Sequence, residues 1–248
     1  VFGVDTEFDW RSTYFPKLSL LQISTDNDLF ILDCLKFDFK NIIKPLFESR
    51  SYLKIFHSVR SDTTVLKNCL DVKVENVFDI QLAEKIIYGE QVKSYAKIVS
   101  RYFGIKISKD ETNSNWLKRP LTDSQIDYAL NDIDFLIDIY RLQKSILKRE
   151  LLFNKALDLS KREADEGNKN FKLSRLEKKP KLSEKERKIF IWREDIAEKL
   201  NIPPSFIFKN KSLSILAKIK SNDPLAEKKI MKILGDSNNV KRFITKFL

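Results

Sequence analysis

Val1-Phe2-Gly3-Val4-Asp5-Thr6-Glu7-Phe8 is the stretch on which the fold turns. Its β-prone residues mark a strand, and side chains on a strand alternate between two faces. Phe2, Val4, Thr6 and Phe8 therefore share one face, while Asp5 and Glu7 share the other. Two acids on a strand otherwise suited to burial are costly unless they meet a cation or water. Two more β-rich runs follow at 18–24 and 28–32, separated by the turn-formers Thr25-Asp26-Asn27-Asp28. Spacing this tight allows antiparallel pairing through hairpins. The pattern then changes to a helix at 39–49, a strand at 52–57, a helix at 62–70 and a strand at 77–80, followed by helices at 82–88 and 94–103. This order predicts an α/β fold with a mixed five-stranded sheet flanked by helices.

Thr122-Asp123-Ser124-Gln125 is a capping box, with Pro120 upstream to stop any earlier helix. Ile126, Ala129, Leu130, Ile133, Leu136, Ile137 and Tyr140 recur behind it at helical spacing, which predicts one long helix. A further helix is expected at 151–166 and a Lys-, Asn- and Ser-rich linker at 167–183. Helices then follow at 184–200, 212–221, 225–234 and 240–247, separated by Pro- and Gly-containing breaks. Three parts result: a domain at 1–150, a connecting helix and linker at 151–183, and a small all-α domain at 184–248.

Residues 1–150 carry 22 Lys+Arg against 22 Asp+Glu, and residues 151–248 carry 24 against 13, so the whole net charge of +11 lies in the rear. A neutral front and a basic rear point to one part for chemistry and one for holding a polyanion. Lys209, Lys211, Lys218, Lys220, Lys228, Lys229 and Lys232 are the candidate phosphate contacts. No run of about 18 uncharged apolar residues is present, which excludes a membrane-spanning helix. The 2 cysteines, Cys34 and Cys69, are too few for a disulfide framework and favour a reducing cytoplasm. The start at Val1, inside a strand and without Met, reads as a trimmed fragment.

Asp62 follows a buried-looking strand and opens a helix, where an Asp alone reads as an N-cap. Tyr128 and Asp132 are four apart and share one helix face. Taken singly, Tyr128 reads as core, Asp132 as a solvated acid and Asp5-x-Glu7 as an exposed sheet edge. Together, four carboxylates from separate elements are the oxygen ligands that hard divalent cations require. Two such ions about 4 Å apart neutralise both the attacking and the leaving oxygen of a phosphodiester. His57 is the single histidine, which removes any multi-His zinc site and leaves no Ser-His-Asp or Cys-His catalysis unless His57 is the base.

Val4-Asp5-Thr6-Glu7-Phe8, Lys54-Ile55-Phe56-His57-Ser58-Val59-Arg60-Ser61-Asp62 and Tyr128-Ala129-Leu130-Asn131-Asp132 resemble the motifs of the ribonuclease D family. Tyr14 to Ile23, Phe78 to Ala83 and Trp116 to Thr122 extend the likeness across roughly residues 1–145. Ile191-Trp192-Arg193, Ala197, Asn201-Ile202-Pro203-Pro204 and Phe206-Ile207 resemble the helical HRDC module, and residues 184–248 suffice for one copy.

The resemblance implies a ribonuclease H-like fold and a 3′→5′ exoribonuclease using two divalent metal ions, Mg²⁺ or Mn²⁺. Its substrates would be RNA 3′ ends, such as tRNA precursors or other structured RNA. It names no protein partner. Asp5 would bridge both ions, Glu7 and Asp132 would complete the first site, and Asp62 would hold the second, largely through water. Tyr128 would orient the attacking water. A sister class places a His five residues before the last Asp, but Asp127 stands there, so the Tyr class is implied. Phe8, Gln22, His57 and Trp116 are the implied contacts to the terminal nucleotide, with core packing the alternative for Trp116. Two other functions stay open: a DNA-directed 3′→5′ exonuclease, or a non-catalytic nucleic-acid-binding protein.

Overall fold

A computed structural model describes residues 1–89, 91 and 93–248. Its five strands are β1 (Phe2–Asp9), β2 (Lys17–Ser24), β3 (Leu29–Asp33), β4 (Lys54–Phe56) and β5 (Val77–Asp79), ordered β3-β2-β1-β4-β5. β1 pairs antiparallel with β2, and β2 with β3, through the short connections expected. Thr25 closes the second hairpin, its Oγ1 accepting from Asp28 N–H at 3.0 Å. β1–β4 and β4–β5 are parallel, which requires crossovers, and α1 (Lys40–Glu48) and α2 (Val59–Leu70) supply them. This is the ribonuclease H-like sheet.

The alternation along β1 builds a core on each face. Phe2 and Val4 join Phe47, Phe56, Val65 and Leu66, while the opposite side collects Ile55, Phe78, Ile98, Ile133, Leu136 and Ile139. That second layer comes from α3 (Ile80–Tyr88), α4 (Tyr95–Phe103), α5 (Asp123–Asp134) and α6 (Leu136–Arg149). Between Glu7 and Phe8 the pairing jumps from Leu20 to Leu18, leaving Ser19 as a bulge.

Two expectations about helices change. The helix from Thr122 keeps its capping box but does not run through to Tyr140; it breaks at Phe135 (φ −96, ψ 0). The Phe135 N–H donates instead to the Tyr95 hydroxyl at 3.1 Å. Ile126 lies outside the buried stripe. α2 starts at Val59, three residues before Asp62, because its cap comes from elsewhere in the chain. The buried Asp79 carboxylate accepts from Ser58 and Val59 N–H at 3.1 and 3.0 Å, and also caps α3 through Gln81 N–H at 2.8 Å. Asp62 is thus a first-turn residue and not the N-cap.

Cα proximity divides the chain into a first unit, Val1–Asp9 with Pro16–Lys169, and a second, Trp10–Phe15 with Asn170–Leu248. The helix expected at 151–166 is α7 (Phe153–Gly167), and it packs within the first unit against α2 and β5. Part of the stretch expected as linker is helical, α8 (Phe171–Glu177), and belongs to the second unit. There it joins α9 (Glu184–Leu200), α10 (Pro204–Ile207), α11 (Leu213–Lys218), α12 (Ala226–Leu234) and α13 (Ser237–Phe247). Trp192, Phe243 and Phe247 form an aromatic cluster in its core. Trp10–Phe15, between β1 and β2, is held by Asn201, whose side-chain oxygen accepts from Tyr14 and Phe15 N–H at 3.1 Å each. No helix among the described residues is long and apolar enough to cross a membrane.

Gly167 ends α7 where a Cβ would stand 2.0 Å from Thr63 Oγ1 and 2.5 Å from the Arg60 carbonyl oxygen of α2. Gly167→Ala should therefore force α7 away from α2 and cost about 1–3 kcal/mol, the usual range for overpacking. Urea unfolding checks this; an unchanged midpoint would show that the two helices do not depend on the close approach.

Candidate metal centre and active site

Strand periodicity puts Asp5 and Glu7 on the face that α5 covers, and helical periodicity turns Tyr128 and Asp132 of α5 toward them. Asp5, Glu7 and Asp132 each offer a carboxylate oxygen, and these oxygens lie within 4.8 Å of one another. Asp62, buried, arrives from the first turn of α2 and accepts from Thr6 Oγ1 at 2.6 Å. Its own oxygens lie outside that three-residue cluster. Its charge is still felt by Asp5 and Glu7.

Burial, then the charges of Asp62, Asp132 and Glu7, pushes Asp5 well above the usual carboxylate range. Burial with Asp132 and Asp62 raises Glu7 to about 9. Asp62 is raised to about 7 by burial, against the hydrogen bond from Thr6. Asp132 is raised to about 6 by burial, tempered by a hydrogen bond from the Tyr128 hydroxyl. No Lys or Arg among the described residues forms an ion pair with any of the four. An oxygen-only donor set lacking positive charge fits a hard divalent cation.

Tyr128 donates to Asp132 and lies 3.2 Å from Thr112 Oγ1, while burial raises its phenol and keeps the proton on. Asp5 and Asp132 open into a cavity of about 250 Å³ lined also by His57, Tyr95, Lys109 and Tyr128, among others; Glu7 and Asp62 are not among its lining residues. His57 Nε2 sits 3.0 Å from the Lys93 carbonyl oxygen and 3.0 Å from the Gln81 side-chain nitrogen, and burial lowers its pKa.

The other three expected nucleotide contacts do not line this cavity. Phe8 lies on the opposite face from Glu7 and packs against the Phe2–Val4 core. Gln22 pairs with Asp5 across the ladder but is fully buried, and neither amide atom finds a partner among the described residues. Trp116 is buried with Leu20 and Ala129, its ring 5.9 Å from that of Tyr128, so the packing alternative describes it. Conversely, Ser94, Tyr95, Ser108, Lys109 and Thr112 line the cavity without any signal in the sequence motifs. Ser108, Lys109 and Thr112 lie between α4 and the Trp116-to-Thr122 motif, in a stretch with no periodicity to mark them.

The sequence matches the 3′–5′ exonuclease family over residues 1–148 and the HRDC domain over residues 186–248, so the chain belongs to the 3′–5′ exonuclease family. Among individual proteins it is similar to ribonuclease D of several bacteria. The relative from Desulfotalea psychrophila is 32% identical over 240 residues, covering 90% of this chain and 62% of the relative. The chain thus spans less than two thirds of that protein. Escherichia coli RNase D, described as an exoribonuclease involved in structured RNA processing, superposes with a TM-score of 0.85 at 20% identity, over 99% of this chain and 68% of that one. Brucella melitensis NrnC with bound Mg²⁺ gives a TM-score of 0.62 at 22% identity, over 74% and 90%.

The raised carboxyls make stability depend on pH. A carboxyl whose folded-state pKa exceeds its unfolded value of about 4 favours the fold while protonated. That contribution is complete below pH about 4 and is lost as pH rises through the values of Asp132, Asp62 and Glu7, about 6, 7 and 9. Metal-free protein should therefore lose Tm from pH about 5.5 to about 9, and Mn²⁺ should raise Tm most at the alkaline end. A metal-free Tm that is flat over this range, with no Mn²⁺ effect, would contradict the charge deficit.

Proposed function

We propose that the chain is a metal-dependent 3′→5′ exoribonuclease that releases nucleoside 5′-monophosphates from RNA ends. Asp5, Glu7, Asp62 and Asp132 hold two divalent cations, Mg²⁺ or Mn²⁺. The observation carrying this reading is the convergence of three carboxylates within 4.8 Å, one hydrogen-bonded to Tyr128, in a chain of the ribonuclease D kind. When bound, the ions neutralise the attacking and leaving oxygens and make water a better nucleophile. Tyr128 keeps its proton and is fixed by Thr112 and Asp132, so its hydroxyl orients the water and does not act as the base. The Thr6 hydroxyl holds Asp62, which would serve the second ion. RNA as the substrate draws on the relatives' described activity, with tRNA precursors or other structured RNA as the class. The free thiols of Cys34 and Cys69 favour the cytoplasm.

End-labelled RNA should be shortened from its 3′ end, with EDTA abolishing the reaction. Tyr128→Phe should lower kcat by roughly 10²–10⁴ with RNA affinity nearly unchanged, as for other groups that steer a proton or water. Hydrolysis that survives EDTA, or an unaltered kcat in the variant, would overturn this assignment; preferential digestion of DNA would overturn the substrate.

The second unit is the RNA-holding part in this reading. It carries 21 Lys+Arg against 9 Asp+Glu. A cleft of about 630 Å³ is lined by Arg175, Lys178, Lys179, Arg193 and Lys209, and its one acid, Glu194, is engaged by Arg175 at 2.9 Å and Arg193 at 3.0 Å. Phe206 of α10, beside this cleft in sequence, is 68% exposed, and an aromatic ring next to a basic groove suits a single strand. Replacing Lys178, Lys179 and Lys209 together by Ala should flatten the salt dependence of RNA binding by about 0.7 in log–log slope for each phosphate no longer neutralised. Cleavage of a dinucleotide should be unaffected. An unchanged slope would rule out the cleft.

A further inference from the structure

The cavity is lined by two unlike sets of groups. Asp5 and Asp132 bring carboxylates, while Ser94, Ser108, Lys109 and Thr112 bring hydroxyls and an ammonium, with Thr112 Oγ1 3.2 Å from the Tyr128 hydroxyl. Among the described residues Lys109 is the only Lys or Arg that lines it. Lys109 Nζ donates to Ser94 Oγ at 3.0 Å, and no carboxylate pairs with it among the described residues. Ser94 is the N-cap residue of α4, yet its hydroxyl makes no capping bond and is left to accept from the lysine.

The arrangement departs from what bare electrostatics favours. A lysine lining the same cavity as Asp5 and Asp132 would ordinarily pair with a carboxylate. Here a neutral hydroxyl restrains it, so among the described residues no ion pair ties the ammonium to the acids. The segment bearing Lys109 is pinned at its far end. Arg119 binds Asp33 of β3 through two bonds of 2.8 Å, and Gln125 Nε2 donates to Ser114 Oγ at 2.7 Å. The first turn of α4, through Tyr95 and Ala96, lines the same cavity and adds the partial positive charge of a helix N-terminus.

We propose that Lys109, positioned by Ser94, is a phosphate-binding residue: its ammonium contacts a non-bridging oxygen of the terminal phosphodiester in the cavity that Asp5 and Asp132 also line. The inference rests on the exonuclease reading and extends it to a group outside the four acids and the tyrosine. A phosphodiester entering a pocket of carboxylates meets repulsion, and a compact ammonium offers it a charge-assisted bond. Exchanging Ser94 for phosphate costs the lysine one hydrogen bond to a neutral acceptor and returns one to a charged acceptor.

The test uses the whole chain with Lys109→Ala and Lys109→Arg, and reads Mn²⁺ binding, uridine 5′-monophosphate binding in Mn²⁺, and kcat and KM on a short RNA. Lys109→Ala should bind Mn²⁺ at least as tightly as the parent, because a repelling cation is gone. The nucleotide should bind about 10- to 100-fold more weakly, the range of a hydrogen bond to a charged group. KM should rise by a similar factor with kcat less affected, and Lys109→Arg should recover most of the loss. Unchanged nucleotide affinity in Lys109→Ala would overturn the proposal. So would a joint loss of Mn²⁺ and nucleotide binding, which marks a structural role. A parent protein that binds neither would overturn the exonuclease reading itself, and this inference with it.

Discussion

Three carboxylates converge within 4.8 Å with a fourth, Asp62, buried near enough for its charge to be felt, and no lysine or arginine among the described residues pairs with them; the rest of the first unit is arranged around that constraint. Charged carboxylates taken from water without partners are among the costliest things a fold can bury. Their pKa values all rise as a result, Glu7 to about 9 and Asp132 to about 6. The fold supports this through strong packing elsewhere: β1 lies in the middle of the sheet with a core on either face. Asp79 joins β5 to the starts of α2 and α3, so the helix carrying Asp62 is fixed by a residue 17 positions further along the chain.

Local rules make part of this legible in the sequence. The two-residue period of β1 pairs Asp5 with Glu7, and the four-residue spacing on α5 pairs Tyr128 with Asp132. Short connections give the hairpins, and the capping box marks the start of α5. Legibility ends where a distant residue decides a local outcome. The N-terminus of α2 depends on Asp79, and the end of α5 on Tyr95. Gln22 and Trp116 are implied by family resemblance alone, and a residue-by-residue likeness does not reveal that both are buried. Lys109 lies in a segment with no period to read, so only the folded chain places it in the cavity.

The second unit shows why charge is more legible than boundaries. Its basic excess is visible by counting, whereas Trp10–Phe15 joins it through hydrogen bonds to Asn201, some 187 residues away. Arg175 lies over the Tyr14 ring at 4.8 Å and also holds Glu194, which ties this segment to the helices by stacking and charge together. Removing the C-terminal helices would strip Tyr14 of its core, so point substitutions in the whole chain report on this unit more cleanly than truncation does.

The most direct test of the central claim is anomalous diffraction from crystals of the protein soaked in Mn²⁺. Two peaks separated by about 3.5–4 Å, one ringed by Asp5, Glu7 and Asp132 and the other between Asp5 and Asp62, are the predicted result. An empty carboxylate cluster in crystals that take up Mn²⁺ elsewhere would contradict the account.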